Sequence, residues 1–66
     1  MIGNTMKVYL VIEIKMRKVD NEKQSSVIVV FSTYEKACKH AKKLKEENKN
    51  DPEFYYDYEI QQWEVN

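Results

Sequence analysis

One cysteine, one glycine and one proline stand in a chain of 66 residues, and each scarcity excludes something. A single cysteine rules out an internal disulfide, and with one histidine the chain lacks the clustered ligands of a structural zinc site. With so little glycine and proline, neither a low-complexity linker nor a collagen-like or repeat architecture fits. Charge of one sign is not in excess, since 11 basic residues balance 11 acidic ones. The strongly basic field of dedicated nucleic-acid or membrane-surface binders is therefore missing. The longest apolar run, residues 27–31, is far too short to span a bilayer. The first five residues carry neither a charged n-region nor an apolar h-region, and Ile2 breaks the myristoylation pattern. The expectation is a soluble cytoplasmic protein, with residues 1–5 a flexible N-terminal extension of a single domain spanning 1–66. A domain this small buries only about 60 % of the surface its unfolded chain exposes, so without disulfide or metal its core needs help from a partner.

What is present is strongly patterned. Met6, Val8, Leu10, Ile12, Ile14 and Met16 alternate with mostly polar neighbours, which predicts a long strand over 6–17. The polar stretch 18–24, with Asp20-Asn21 at its centre, predicts a hairpin loop longer than the two-residue type. A second strand over 26–31 has two apolar faces, Val27, Val29 and Phe31 on one and Ile28 and Val30 on the other. Ser32-Thr33-Tyr34-Glu35 has the form of a capping box with Ser32 as the cap. The helix it opens should run to about Asn48, with Tyr34, Ala37, Cys38, Ala41 and Leu44 as its apolar stripe and asparagines in a left-handed closing conformation at its end. A last strand over 54–65 alternates Phe54, Tyr56, Tyr58 and Ile60, then slips phase at Gln61-Gln62 before Trp63 and Val65, which predicts a β-bulge there.

The predicted fold is α+β: a ββαβ domain with a three-stranded antiparallel sheet in the order second, first, third, and the helix on one face. Placing the third strand beside the second, in parallel, is the alternative. Val8, Leu10, Ile12 and Ile14 are expected under the helix with Phe31, Ala37, Ala41, Leu44, Tyr56, Tyr58, Ile60 and Trp63. The opposite face should then expose Tyr9, Val11, Ile28, Val30 and Tyr55, an apolar and aromatic patch suited to a protein partner. A homodimer formed back to back is one expectation and a heterologous protein partner another. The edge of the second strand, with no Lys, Pro or Gly between 27 and 31, offers backbone groups for strand addition.

Chemistry finds little to work with. Cys38 and His40 lie two positions apart on a helix, roughly 200° around it, and cannot form a dyad. Cys38 is expected as a small core filler and His40 on the solvent face. Glu13, Asp57 and Glu59 could share the open face, where Lys7, Lys15 and Arg17 would pair with them. No Gly-rich loop and no metal-ligand spacing occurs, so no catalytic residue, cofactor or metal is assigned and the chain is read as a non-enzyme. Lys36, Lys39, Lys42 and Lys43 form a basic stripe on the helix that could contact phosphate. Nucleic acid is therefore the alternative partner, although the aromatics are expected on the sheet and ten of the eleven basic residues are Lys.

The run Met6-Lys7-Val8-Tyr9-Leu10-Val11, then Val29-Val30-Phe31-Ser32-Thr33-Tyr34-Glu35-Lys36-Ala37, a lysine-rich helix and a closing Ile60-Gln61-Gln62-Trp63-Glu64-Val65 resembles small uncharacterised ββαβ proteins of phages and prophages of low-GC bacteria. The resemblance covers most of the chain from Met6. It implies a small accessory or inhibitor protein that acts by stoichiometric binding, and it brings no catalytic motif.

Overall fold

A computed structural model describes residues 6–65, and the expected extension over 1–5 lies outside them. The elements are β1 (Met6–Arg17), β2 (Lys23–Phe31), α1 (Tyr34–Asn48) and β3 (Phe54–Val65). They form one antiparallel sheet in the order β2-β1-β3, as the alternation and the helix length predict.

The hairpin between β1 and β2 closes where Arg17 N–H donates to the Glu22 carbonyl at 2.9 Å and Asn21 N–H to the Arg17 carbonyl at 2.8 Å. Asn21 takes the left-handed conformation (φ 60°), which asparagine tolerates better than most residues. Two residues separate β2 from α1, and the cap is Thr33 rather than Ser32: its Oγ1 accepts from Lys36 N–H at 3.3 Å. With the cap one residue later, Glu35 falls at N2 and the reciprocal half of the capping box is not made. At the far end the helix does not close through a left-handed asparagine, since Lys49 keeps right-handed helical angles. Asp51 makes the turn into β3 instead, its Oδ1 accepting from Glu53 N–H at 2.8 Å and Phe54 N–H at 3.0 Å.

β1 and β3 pair without interruption from Met6↔Val65 to Arg17↔Phe54, so the bulge expected at Gln61-Gln62 is absent. The irregularity lies in β2, where Val11 pairs with Val29 and Ile12 with Val27, leaving Ile28 as the extra residue. The phase slip in β3 has another origin. Phe54, Tyr56, Tyr58 and Ile60 face the helix, whereas Trp63 and Val65 pair with Val8 and Met6 on the other face, so the apolar side of the strand changes where the helix runs out. A helix of 15 residues is about 22 Å long, while the twelve-residue ladder beneath it runs about 40 Å.

The helix covers the face opposite to the one expected. Val11 is 0 % exposed and Ala37 is its counterpart on α1, the two fully buried apolar residues among those described. Tyr9 meets Tyr34 edge-on at 5.8 Å, and Phe31 meets His40 at 5.3 Å, which places both on the helix side. Val8, Leu10, Ile12 and Ile14 therefore point away from α1, and Trp63 with them, 56 % exposed. The register decides which parity of β1 lies under α1: Phe54, Tyr56, Tyr58 and Ile60 pair with Arg17, Lys15, Glu13 and Val11, so the odd residues of β1 share the helix side with the aromatic run of β3. Both faces of the sheet are apolar enough to need cover, and one helix supplies it to one face.

Candidate functional site

The uncovered face is built from the register. Met6, Val8, Leu10, Ile12, Ile14 and Met16 run down its centre, Val27 and Val30 flank them on β2, and Tyr55, Trp63 and Val65 on β3. Val27 and Val30 are 53 % and 52 % exposed, in strands whose side chains would ordinarily be half covered. Polar groups keep to the margins: Lys23 and Ser25 on β2, Asp57, Glu59 and Gln61 on β3. Trp63 Nε1–H donates to Gln61 Oε1 at 3.1 Å, which holds the indole along this face. The Asp57 carboxyl is held below the usual carboxylate range by the Tyr58 backbone N–H, then by Lys45 at 3.3 Å, with Lys23 contributing across the face.

Of the residues expected here, Val30 and Tyr55 lie on the open face and Ile28 stands at the bulge, 40 % exposed. Tyr9 and Val11 do not: both are on the helix side, and Val11 is the centre of the core, because the helix packs on the odd-numbered side chains of β1. Val8, Leu10, Ile12, Ile14, Met16, Val27, Trp63 and Val65 were missing from the expected patch. Their signal was present in the sequence: the late apolar phase of β3, Trp63 and Val65, has to share a face with one parity of β1 beyond the helix. The β2 edge carries its own blunting device, since the bulge at Ile28 twists it against regular strand addition.

The other expected constellations separate. Glu13 is on the helix side, where its Oε2 accepts from Tyr58 O–H at 3.0 Å, while Asn48 Nδ2–H donates to the same phenol oxygen at 3.0 Å. Desolvation, and then the Glu13 carboxylate against the opposing Asn48 bond, pushes the Tyr58 phenol up to about 12. Asp57 and Glu59 are on the other face, so the three carboxylates do not meet. Lys15 stands over the Phe54 ring at 4.1 Å, also on the helix side, and Arg17 pairs with Asp20 at 3.2 Å in the hairpin. His40 is half-buried against Phe31 rather than solvated, and Cys38 is half-buried as well. Among the described residues no three His, Cys, Asp or Glu side chains cluster as a metal site requires. None of the described helices is long and apolar enough to cross a membrane.

The lysine stripe divides. Lys36, Lys39 and Lys43, spaced i, i+3 and i+7, line an open groove of ≈ 400 Å³ with His40 and Phe31. Lys42 points to the β3 side, beside Cys38, Ala41 and the Lys45–Asp57 pair. An aromatic ring thus does stand among the basic residues, which the expected separation of sheet aromatics from helix lysines did not foresee. A family model described as a domain of unknown function matches residues 6–66. No curated protein and no solved structure matches the chain.

Proposed function

We propose a function for this chain, which belongs to the DUF7336 family, from its surface: a small non-enzymatic protein-interaction module acting by stoichiometric binding through the open sheet face. The observation that carries this reading is the continuous apolar row from Met6 to Met16, flanked by valines that are more than half exposed. Contiguous apolar surface with a polar rim is characteristic of protein interaction sites. The resemblance to phage and prophage proteins supports an accessory or inhibitor role in the cytoplasm, binding a macromolecule rather than transforming a substrate. Ile12→Lys places a charge at the centre of the face without entering the helix-side core. Its expected result is a folded chain, by circular dichroism, that no longer binds its partner. Loss of secondary structure in that variant, or unaltered binding, contradicts the reading.

A second reading rests on the groove of Lys36, Lys39, Lys43, His40 and Phe31. Among the described residues these three lysines take part in no ion pair, whereas Lys45 and Lys49 each do. Unpaired ammonium groups beside an aromatic ring suit a single-stranded nucleic acid. A titration with labelled single-stranded DNA at two salt concentrations tests it. Salt-dependent binding that is lost in Lys36→Glu/Lys39→Glu supports this reading, and no binding at micromolar protein removes it.

A further inference from the structure

We infer that the occupant of the open face is a second copy of this chain, packed sheet to sheet and antiparallel, with the two-fold axis crossing β1 between Leu10 and Ile12. The inference rests on the reading of this face as a protein-binding surface and names its partner. Three observations carry it.

The first is exposure. Among the described residues Met6, Val27, Val30, Tyr55, Trp63 and Val65 are each at least half exposed and all lie on this one face. A single sheet with one bare apolar side is what remains when half of a sandwich is taken away.

The second is that the cover is needed continuously. With Val11 and Ala37 the fully buried apolar residues of the described chain, the monomer has little to hold it folded. A partner that deepens so thin a core stabilises the chain only while it is bound, so it has to be present in amounts that match the chain. A second copy meets that condition by its nature.

The third is pattern. Turning one sheet over about an axis across the strands sets Ile12 against the partner's Leu10, Ile14 against the partner's Val8 and Met16 against the partner's Met6. On the flanks it sets Val27 against the partner's Val30, Tyr55 against the partner's Val65 and Glu59 against the partner's Gln61. Apolar groups meet apolar groups along β1, the carboxylate nearest the centre meets an amide that can donate to it, and Asp57, paired with Lys45 of its own chain, falls against the partner's Trp63. An axis along the strands does worse. It lays Glu59 on the partner's Val27, and leaves Trp63 and Val65 opposite the gap beyond the end of β2 at Phe31.

The test is a charge-swap pair, because residues 10 and 12 face each other across the proposed axis. Wild type should scatter light as a 16 kDa species, twice 8.0 kDa. Leu10→Glu and Ile12→Lys should each be folded monomers, with self-association weakened at least about 100-fold by an unpaired charge in the interface. An equimolar mixture of the two should return to 16 kDa, since Glu at 10 then meets Lys at 12 while Ile12 still meets Leu10. If Leu10→Glu does not fold, Val30→Glu mixed with Val27→Lys, which the same axis sets against each other at half-exposed flanks, gives the same readout. A mixture that stays monomeric overturns the antiparallel register. Wild type that is monomeric across low to high micromolar concentration, with native circular dichroism, overturns the second copy as occupant. In that case an apolar dye separates the two levels of the argument. Dye bound by wild type and lost in Ile12→Lys leaves the protein-binding face standing for another partner, and no dye binding removes that face as well.

Discussion

Leu10 and Val11 are neighbours in sequence and lie on opposite sides of the sheet, so truncation at 11 measures the helix-covered core alone. Val11→Ala removes two methyl groups from a site that is 0 % exposed, a transfer loss of about 1.6 kcal/mol at ~0.8 kcal/mol per carbon. The void left under α1 adds about 1 kcal/mol at ~24 cal/mol per Å³. The sum, about 2 to 3 kcal/mol, is a large share of the roughly 3 to 10 kcal/mol that a domain of this length holds. Val30→Ala is the control. Its side chain is 52 % exposed, so in a monomer it should lose only about 0.5 to 1 kcal/mol and leave no void. Both substitutions are made in the Ile12→Lys background, which keeps the chain monomeric, and are followed by urea and thermal unfolding with circular dichroism. The Val11→Ala midpoint should fall by about 10 to 20 °C and that of Val30→Ala by a third of this or less. Equal losses at the two sites, or a larger loss at 30, would place the helix on the other face and refute the assignment of core and open surface.

Tyr58→Phe breaks the link between Asn48, the phenol and Glu13, and should lower stability by about 1 to 2 kcal/mol, read by urea unfolding. Because the Tyr58 phenol is raised from 10.0 to about 12 in the fold, its share of stability is complete below pH 10 and disappears as pH rises toward 12. Ultraviolet titration should show one phenol ionising near that upper limit, absent in Tyr58→Phe. The Asp51 carboxyl is lowered, first by the Glu53 backbone N–H, so the stability it supplies is present above its ordinary value and is lost as pH falls through the depressed one. Asp51→Asn keeps an acceptor for the turn and should flatten the acid limb of the unfolding curve. In the basic groove, Lys39→Glu should weaken any single-stranded DNA binding and reduce its salt slope, with the dimer mass unchanged.

The order of strands and helix was legible because each element declares itself locally. Strict alternation over 6–17, a capping residue before Tyr34, expected at Ser32 and found at Thr33, and the Asp51-Pro52 stop do not depend on what packs where. The choice of face was not legible, and the reason lies in β1. Its even residues are the more apolar, yet Tyr9, Val11 and Glu13 face the helix, because the ladder ties them to the side on which the aromatic run Phe54 to Ile60 packs, a pairing that no single strand reveals. Reading each strand by its greasier side assumes a single core. Here the greasier side of β1 lies away from the helix. The Ile28 bulge escaped for a related reason: a strand apolar on both faces has no polar marker to reveal a one-residue slip. Phe31 beside Lys39 and His40 was missed because the groove forms between two elements.

The fold thus places its two candidate surfaces back to back, the apolar face for a partner chain and the basic groove outward. In the proposed dimer the helices remain on the outside and both grooves stay open, so protein binding and any anion binding do not compete.

Trp63 is the single tryptophan and stands at the far end of the open face, 56 % exposed in the isolated chain. Its fluorescence, measured from low to high micromolar concentration beside Leu10→Glu, therefore reports cover of this face with no other signal mixed in. Emission that is blue-shifted and shielded from acrylamide in wild type, and red-shifted and open to quenching in Leu10→Glu or on extreme dilution, is the result the account predicts. A wild-type emission as red and as quenchable as that of Leu10→Glu at every concentration would contradict it.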